Sequence, residues 1–330
     1  MHVSSARREA EPQDDFVEIG VVKQASAKRL IKRWIRLLIR GVSAALGRVL
    51  PLPLRLRIVK WTGRRGLPGN FFVSMVLLSD FAASRPNEFH RFLWSHHLAY
   101  AKSYETSRFV APKLEFSRVL LFREIQDHLR KRGLTPERDV QSVFDVGCSV
   151  GNVLRYAETQ VFPAATRLRG VDVDRHAIDV GAAYLRDVSS KIELAACDAT
   201  DLERAMGKQN YDLVLCCGVL LYFDQPTAAD IVKTLLRHTR LALGLIGLAH
   251  PSMDNSILTS SVVRPRDHAF IHNLDAMIRN AGGRVICQRW MAHENKNINS
   301  PPYIVLAEPN GSLEQPNTTT EMECSKVVLG

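Results

Sequence analysis

The chain has 330 residues, of which 46% are hydrophobic and 24% charged, with a net charge of +10. That balance excludes a disordered or collagen-like chain and supplies enough apolar side chains for a large core. No apolar run approaches the roughly 18 residues that a bilayer span needs, and residues 1–10 lack the apolar stretch of a secretory signal, so a cytoplasmic location is expected. The six cysteines, Cys148, Cys197, Cys216, Cys217, Cys287 and Cys324, show no C-x-x-C spacing. They read as reduced thiols, with neither a disulfide framework nor a metal site expected.

The basic excess is local. Residues 1–18 carry two arginines against five acids, residues 19–79 carry 13 Lys plus Arg and no acid, and the remainder is neutral. Residues 1–27 are polar and expected to be disordered. Residues 28–66 form a basic amphipathic segment: Leu30, Ile31, Trp34, Ile35, Leu38, Val42 and Ala45 recur at helical spacing, and Lys28, Arg29, Lys32, Arg33, Arg36 and Arg40 fill the other side. Such a helix can dock on the rest of the protein, lie on an anionic membrane, or contact nucleic acid. Residues 67–134 read as a helical cap, with helices expected near 71–83, 88–105 and 115–132. Within it, Tyr100 and Tyr104 lie one turn apart, and either could reach over a ligand or pack on the core.

The chemistry begins at residues 142–152. Val143, Phe144, Asp145 and Val146 read as a strand, Gly147 to Gly151 as a tight turn, and Val153, Leu154, Tyr156 and Ala157 as the start of a helix. Glycines there let the backbone approach a ligand closely, and the helix N-terminus offers unpaired N–H groups. Asp145 at the strand's end suits an ammonium group better than a pyrophosphate. The dinucleotide fingerprint is not met, because Ser149 stands at its second glycine and Asn152 at its last position. Further on, Asp172 follows Gly151 at the spacing of an acid that accepts hydrogen bonds from ribose hydroxyls, and Asp174 is placed to cap the next helix.

The run Asp145, Val146, Gly147, Cys148, Ser149, Val150, Gly151 resembles the first motif of the class I S-adenosylmethionine-dependent methyltransferases, with serine at the middle glycine. The pair Gly170 and Asp172, with Val173 beside it, resembles the second motif. The resemblance implies S-adenosylmethionine as cofactor, Asp198 on the adenine amino group with Ala199 against the ring, and Cys217, Gly218 and Val219 lining the methyl-transfer crevice after the strand that opens at Asp212. Asp201 is the helix-capping alternative to Asp198. It also implies an α/β fold over residues 135–308: a seven-stranded, mostly parallel sheet with helices on both faces and the last two strands joined as a hairpin. Residues 309–330 are expected to be disordered.

In-line displacement at a sulfonium methyl needs positioning above all, with a base to take the acceptor's proton where the acceptor must lose one. His250, His272 and Tyr222 are the candidates, against the alternative of structural histidines. The segment 251–266 is long enough for a substrate lid. Ser300-Pro301-Pro302-Tyr303 reads as a turn leading into the last strand. The expected acceptor is a small or lipid-like molecule, with peripheral membrane contact through residues 28–65. The rivals are an RNA methyltransferase using the basic arm and a non-catalytic scaffold; a nicotinamide dehydrogenase lacks both the fingerprint and a Tyr-x-x-x-Lys pair.

Overall fold

The computed structural model describes residues 41–42, 45–47, 49–65, 70–98, 114–292 and 301–310. The N-terminal part holds helices α1 (Leu52–Arg64), α2 (Asn70–Leu77), α3 (Ser79–Ser84) and α4 (Pro86–Ser95), followed by α5 (Phe116–Lys131) and the short α6 (Pro136–Asp139). Strand β1 (Ser142–Val146) leads to α7 (Asn152–Tyr156), which runs on as a π turn, Ala157–Val161. Then come β2 (Arg167–Asp172), α8 (Arg175–Asp187), β3 (Ile192–Ala196), α9 (Leu202–Met206), β4 (Tyr211–Cys217), α10 (Gln225–Arg237) and β5 (Thr239–Leu248). A two-stranded hairpin of β6 (Val262–Val263) and β7 (Phe270–Ile271) precedes α11 (Leu274–Asn280), β8 (Gly283–Trp290) and β9 (Pro302–Pro309).

The main sheet has seven strands in the order β3-β2-β1-β4-β5-β9-β8, parallel except for β9, which runs antiparallel to both β5 and β8. Alternation along the strands explains the layers, since successive side chains point to opposite faces. Val143, Leu213, Leu215, Ile304 and Leu306 join Leu121 and Ile125 of α5, Leu154 of α7 and Leu185 of α8 in one core. Phe144, Val214, Cys216, Val305 and Ala307 join Met206 of α9, Ile231 and Leu235 of α10 and Ile278 of α11 in the other. Asp212 opens β4 as expected, and it ties that strand to β1 by accepting from the backbone N–H groups of Gln141 and Ser142 at 2.9 Å each. A third core holds α1 to α4 together, through Val59, Leu78, Phe81, Phe89 and Leu93. Arg55 anchors α1 beneath it, donating to Asp80 Oδ2 at 2.8 Å and to the Leu77 carbonyl at 3.0 Å.

Several expected elements change. The helix expected near 88–105 stops at Ser95; His97 takes a left-handed backbone (φ 52), and its side chain turns to Asp174, Nδ1 to Oδ2 2.6 Å. Tyr100 and Tyr104 lie outside the described residues, as do most of 28–46, all of 1–27, and residues 311–330 with Cys324. Helix α11 begins only at Leu274, because Ala269 and Ile271 are buried with Leu221 and Leu248, and Asn273 caps the helix by accepting from Ala276 N–H. The segment 251–266 is no free lid. Asn255 is fully buried, with its amide donating to the carbonyls of Leu248 and His272 at 2.8 Å each, and Val262–Val263 pairs with β7. Ser300 lies outside the described residues, and Pro302 and Tyr303 already belong to β9, with the Tyr303 ring buried and its hydroxyl hydrogen-bonded with Asp275 and Gln288. Among the described residues all five cysteines are free, no cluster could hold a metal ion, and no helix is long and apolar enough to cross a membrane.

Candidate active site

The strand order reverses between β2 and β4, on the two sides of β1, and at such a switch point the loops after the strands part and leave a crevice at their carboxyl ends. The crevice encloses about 880 Å³, open mouth included, and its floor is the turn 147–149, residues 171–173 after β2, residues 197–199 after β3 and residues 217–219 after β4.

The turn is built for close approach. Gly147 has φ +74, and a Cβ added there would stand 2.1 Å from Val219 Cγ2. Its N–H and that of Cys148 both donate to the Val171 carbonyl, at 2.8 and 3.1 Å. Ser149 takes φ 50, the left-handed conformation for which glycine is the unstrained choice. Serine therefore stands here in the backbone conformation that the middle glycine would take without strain. Gly151 is also left-handed and caps α7.

Asp172 lines the crevice and organises it: one carboxylate oxygen accepts from Ser149 N–H and the other from Asp174 N–H, both at 2.8 Å. Burial pushes its pKa up to about 6 against those hydrogen bonds. Asp174 caps α8 as expected, accepting from Ala177 N–H at 3.2 Å. Asp145 lies under the crevice, not in its lining. It is 1% exposed, its Oδ2 accepts no hydrogen bond among the described residues, and burial raises its pKa to about 7. Cys217 lines the crevice as a protonated thiol, pushed up to about 12 by burial.

Asp198 reaches the crevice wall already engaged. Its Oδ2 accepts from Arg91 Nε at 2.5 Å and its Oδ1 from Thr200 N–H and hydroxyl at 2.9 and 2.8 Å. Burial pushes its pKa up, but those donors outweigh burial and hold it below the ordinary carboxylate range. Asp201, the alternative, makes no capping hydrogen bond at the start of α9.

The histidines fall differently from expectation. His250 does not line the crevice; its Nδ1 accepts from Ser252 N–H at 3.3 Å within its own loop. His272 is buried outside the lining, between the Leu220 carbonyl (3.0 Å) and the Ser261 hydroxyl (2.6 Å), and burial lowers its pKa. It therefore braces the 3-10 turn Leu220–Tyr222 that carries Tyr222. Tyr222 does line the crevice, its ring 4.9 Å from that of His90 and 5.5 Å from that of Trp94.

The wall opposite the glycine turn was missed as a site. Helix α4 contributes Asn87, His90, Arg91 and Trp94, the i, i+3, i+4, i+7 stripe of one helix face, while Phe89 and Leu93 hold its other face to the N-terminal core. That polar and aromatic stripe is visible in the sequence; only packing shows that it faces the crevice. His90 is neutral, its pKa lowered to about 4 by burial, and its Nε2 lies 3.2 Å from the His268 carbonyl. Arg118 of α5 completes the lining, paired with Glu115 at 2.6 Å.

Residues 143–241, from β1 into β5, match the family described as a methyltransferase domain. Over these residues the chain is similar to a methyltransferase domain. The seven-stranded, mostly parallel sheet, the glycine turn and the crevice at the strands' carboxyl ends are those the motifs implied. Solved structures similar to the chain include an O-methyltransferase family protein from Burkholderia thailandensis (16% identity, TM-score 0.41, covering 58% of this chain and 58% of that one). Others are an S-adenosylmethionine-dependent methyltransferase from Clostridium acetobutylicum ATCC 824 (12%, 0.44, 64% and 98%) and magnesium protoporphyrin IX methyltransferase from Synechocystis PCC 6803 (16%, 0.43, 72% and 97%). No curated protein matches the chain.

The crevice fits the S-adenosylmethionine that the motifs imply. The turn leaves no room for a side chain at Gly147, a buried carboxylate oxygen of Asp145 accepts no hydrogen bond among the described residues, and the carboxylates of Asp172 and Asp198 line the crevice.

Proposed function

We propose that the protein transfers a methyl group from S-adenosylmethionine to an apolar small-molecule or lipid-like acceptor. One observation carries the acceptor class: Trp94, Val219, Tyr222 and Phe223 give the crevice an aromatic and apolar lining, and the two arginines among the lining residues, Arg91 and Arg118, are each engaged by a carboxylate. Such a wall removes apolar surface from water and leaves few polar groups to orient a polar polymer.

In this reading the turn 147–151 holds the amino-acid end of the cofactor, Asp145 beneath it supplies negative charge, Asp172 and Val173 meet the ribose, and Asp198 and Ala199 flank the adenine. Cys217 and Gly218 line the methyl end. The bound sulfonium activates the methyl group for displacement, so the chain's own residues serve chiefly to hold the acceptor in line and exclude water. Tyr222 is the hydroxyl at that wall. His90 takes the place assigned in sequence to His250 and His272, as a neutral imidazole that orients the acceptor. Peripheral contact with a membrane belongs to the same reading, since a lipid-like acceptor is met at a bilayer surface.

Calorimetric titration with S-adenosylmethionine and S-adenosylhomocysteine, with Asp172→Ala alongside, tests the cofactor. Labelled transfer into lipid extracts, small-molecule pools and RNA then tests the acceptor. Label entering RNA alone would overturn the lipid-like class, and a folded chain that binds neither compound would overturn the activity.

A further inference from the structure

We infer that the outer face of α1 is a docking surface for an anionic lipid bilayer. The buried residues Arg55, Val59 and Gly63 fix which way α1 faces. The opposite face is exposed and carries Leu54, Arg57, Trp61, Arg64 and Arg65, the spacing i, i+3, i+7, i+10, i+11 of a single stripe. Trp61 is 52% exposed and the Arg65 guanidinium lies over its ring, 4.3 Å from the centroid. Val49, just before the helix, is 81% exposed.

The chemistry of this stripe is that of the boundary between headgroups and acyl chains. An indole with one apolar side and one polar atom favours that depth, neighbouring arginines meet lipid phosphates, and leucine and valine enter the hydrocarbon edge. Charge is complementary as well, because no acid occurs in residues 19–79 and the one buried arginine of α1, Arg55, is neutralised by Asp80. A nucleic-acid surface would use the same arginines but has no use for exposed Leu54 and Val49, so the bilayer is the occupant these residues favour. The face is also tied to the active site: α1 packs through Val59 on the core that holds Phe89 and Leu93 of α4, and α4 forms the crevice wall. The inference deepens the proposed acceptor class by naming the surface at which a lipid-like acceptor is met, but binding to vesicles needs neither cofactor nor acceptor.

The test is co-sedimentation of the full chain with vesicles of phosphatidylcholine and with an equimolar mixture of phosphatidylcholine and phosphatidylserine. The wild type is expected to bind the mixed vesicles and to be released by salt. Arg57→Gln with Arg64→Gln should weaken binding by about thirty-fold, from roughly 1 kcal/mol for each basic residue near an anionic surface. Leu54→Ser with Trp61→Ser should weaken it as well while leaving the helical circular dichroism and the S-adenosylhomocysteine titration unchanged. Vesicle binding that both double variants retain in full would place the contact elsewhere in the chain and overturn the inference. Arginine-dependent binding to RNA with no binding to either vesicle would also overturn it. Loss of cofactor binding in the wild type would refute the methyltransferase reading while leaving the vesicle result standing.

Discussion

Gly147→Ala is the sharpest probe of the crevice. The added Cβ meets Val219 Cγ2 at 2.1 Å, well inside the 3.0 Å below which something must shift, and the residue must keep φ +74. A left-handed backbone costs a residue with a Cβ about 1–2 kcal/mol, and overpacking against a fixed neighbour costs about 1–3 kcal/mol, so the variant should lose about 2–5 kcal/mol. The two parts separate in a double-mutant cycle. Val219→Ala removes the Cγ2 and should recover the steric part only, giving a coupling energy of about 1–3 kcal/mol. Urea unfolding of the four proteins, followed by circular dichroism, measures it, and titration with S-adenosylhomocysteine shows whether the turn must keep its path for binding. A loss below about 1 kcal/mol for Gly147→Ala, or the same loss in the Val219→Ala background, would refute the reasoning.

Asp145 makes a pH prediction. Its folded pKa of about 7 lies above the ordinary 3.8, so its favourable contribution is present below pH 3.8 and is lost as pH rises through about 7. Asp145→Asn, which cannot ionise, should gain stability over the wild type across that window, by an amount on the order of a few kcal/mol that levels off above pH 7; parallel stability curves against pH would show that the carboxylate is not the titrating group. Arg91→Ala frees Asp198 from its shortest hydrogen bond. It should tighten S-adenosylhomocysteine binding, by up to about ten-fold for one charge-assisted hydrogen bond regained, and unchanged affinity in calorimetry would remove Asp198 from the adenine site. His272→Ala removes one of the two hydrogen bonds that the Leu220 carbonyl accepts, the other coming from Phe223 N–H, and should lower stability by about 1 kcal/mol, whereas His250→Ala should leave both stability and cofactor binding near the wild type. Thermal unfolding and the same titration distinguish them, and a large loss of cofactor binding in His250→Ala would restore it to the site.

Much of the catalytic fold was legible because it follows local rules. Within β4, Leu213, Val214, Leu215, Cys216 and Cys217 are apolar without a break since both sheet faces are covered, and the glycine turn, the cap at Asp174 and the strand-opening Asp212 each act within a few residues or across one ladder. Ser149 was readable as a mild departure because the turn needs a particular backbone path and a small side chain, and serine can supply both.

Other features depended on which surfaces meet. The stripe Asn87, His90, Arg91 and Trp94 has the same sequence signature whether it faces water, a partner or a crevice, and only the packing of Phe89 and Leu93 against the N-terminal core turns it toward the cofactor turn. His250 and His272 follow a strand end and precede a helix, where sequence places many catalytic groups. A buried asparagine and a two-stranded hairpin instead hold one in its own loop and the other behind Leu220. The motifs alone thus determined the fold class, since strand, turn and acid spacing are set by short-range geometry. Tertiary structure decided which carboxylate is already engaged and which histidine faces the crevice, because those depend on contacts between residues as far apart in the chain as Arg91 and Asp198, or His90 and His268.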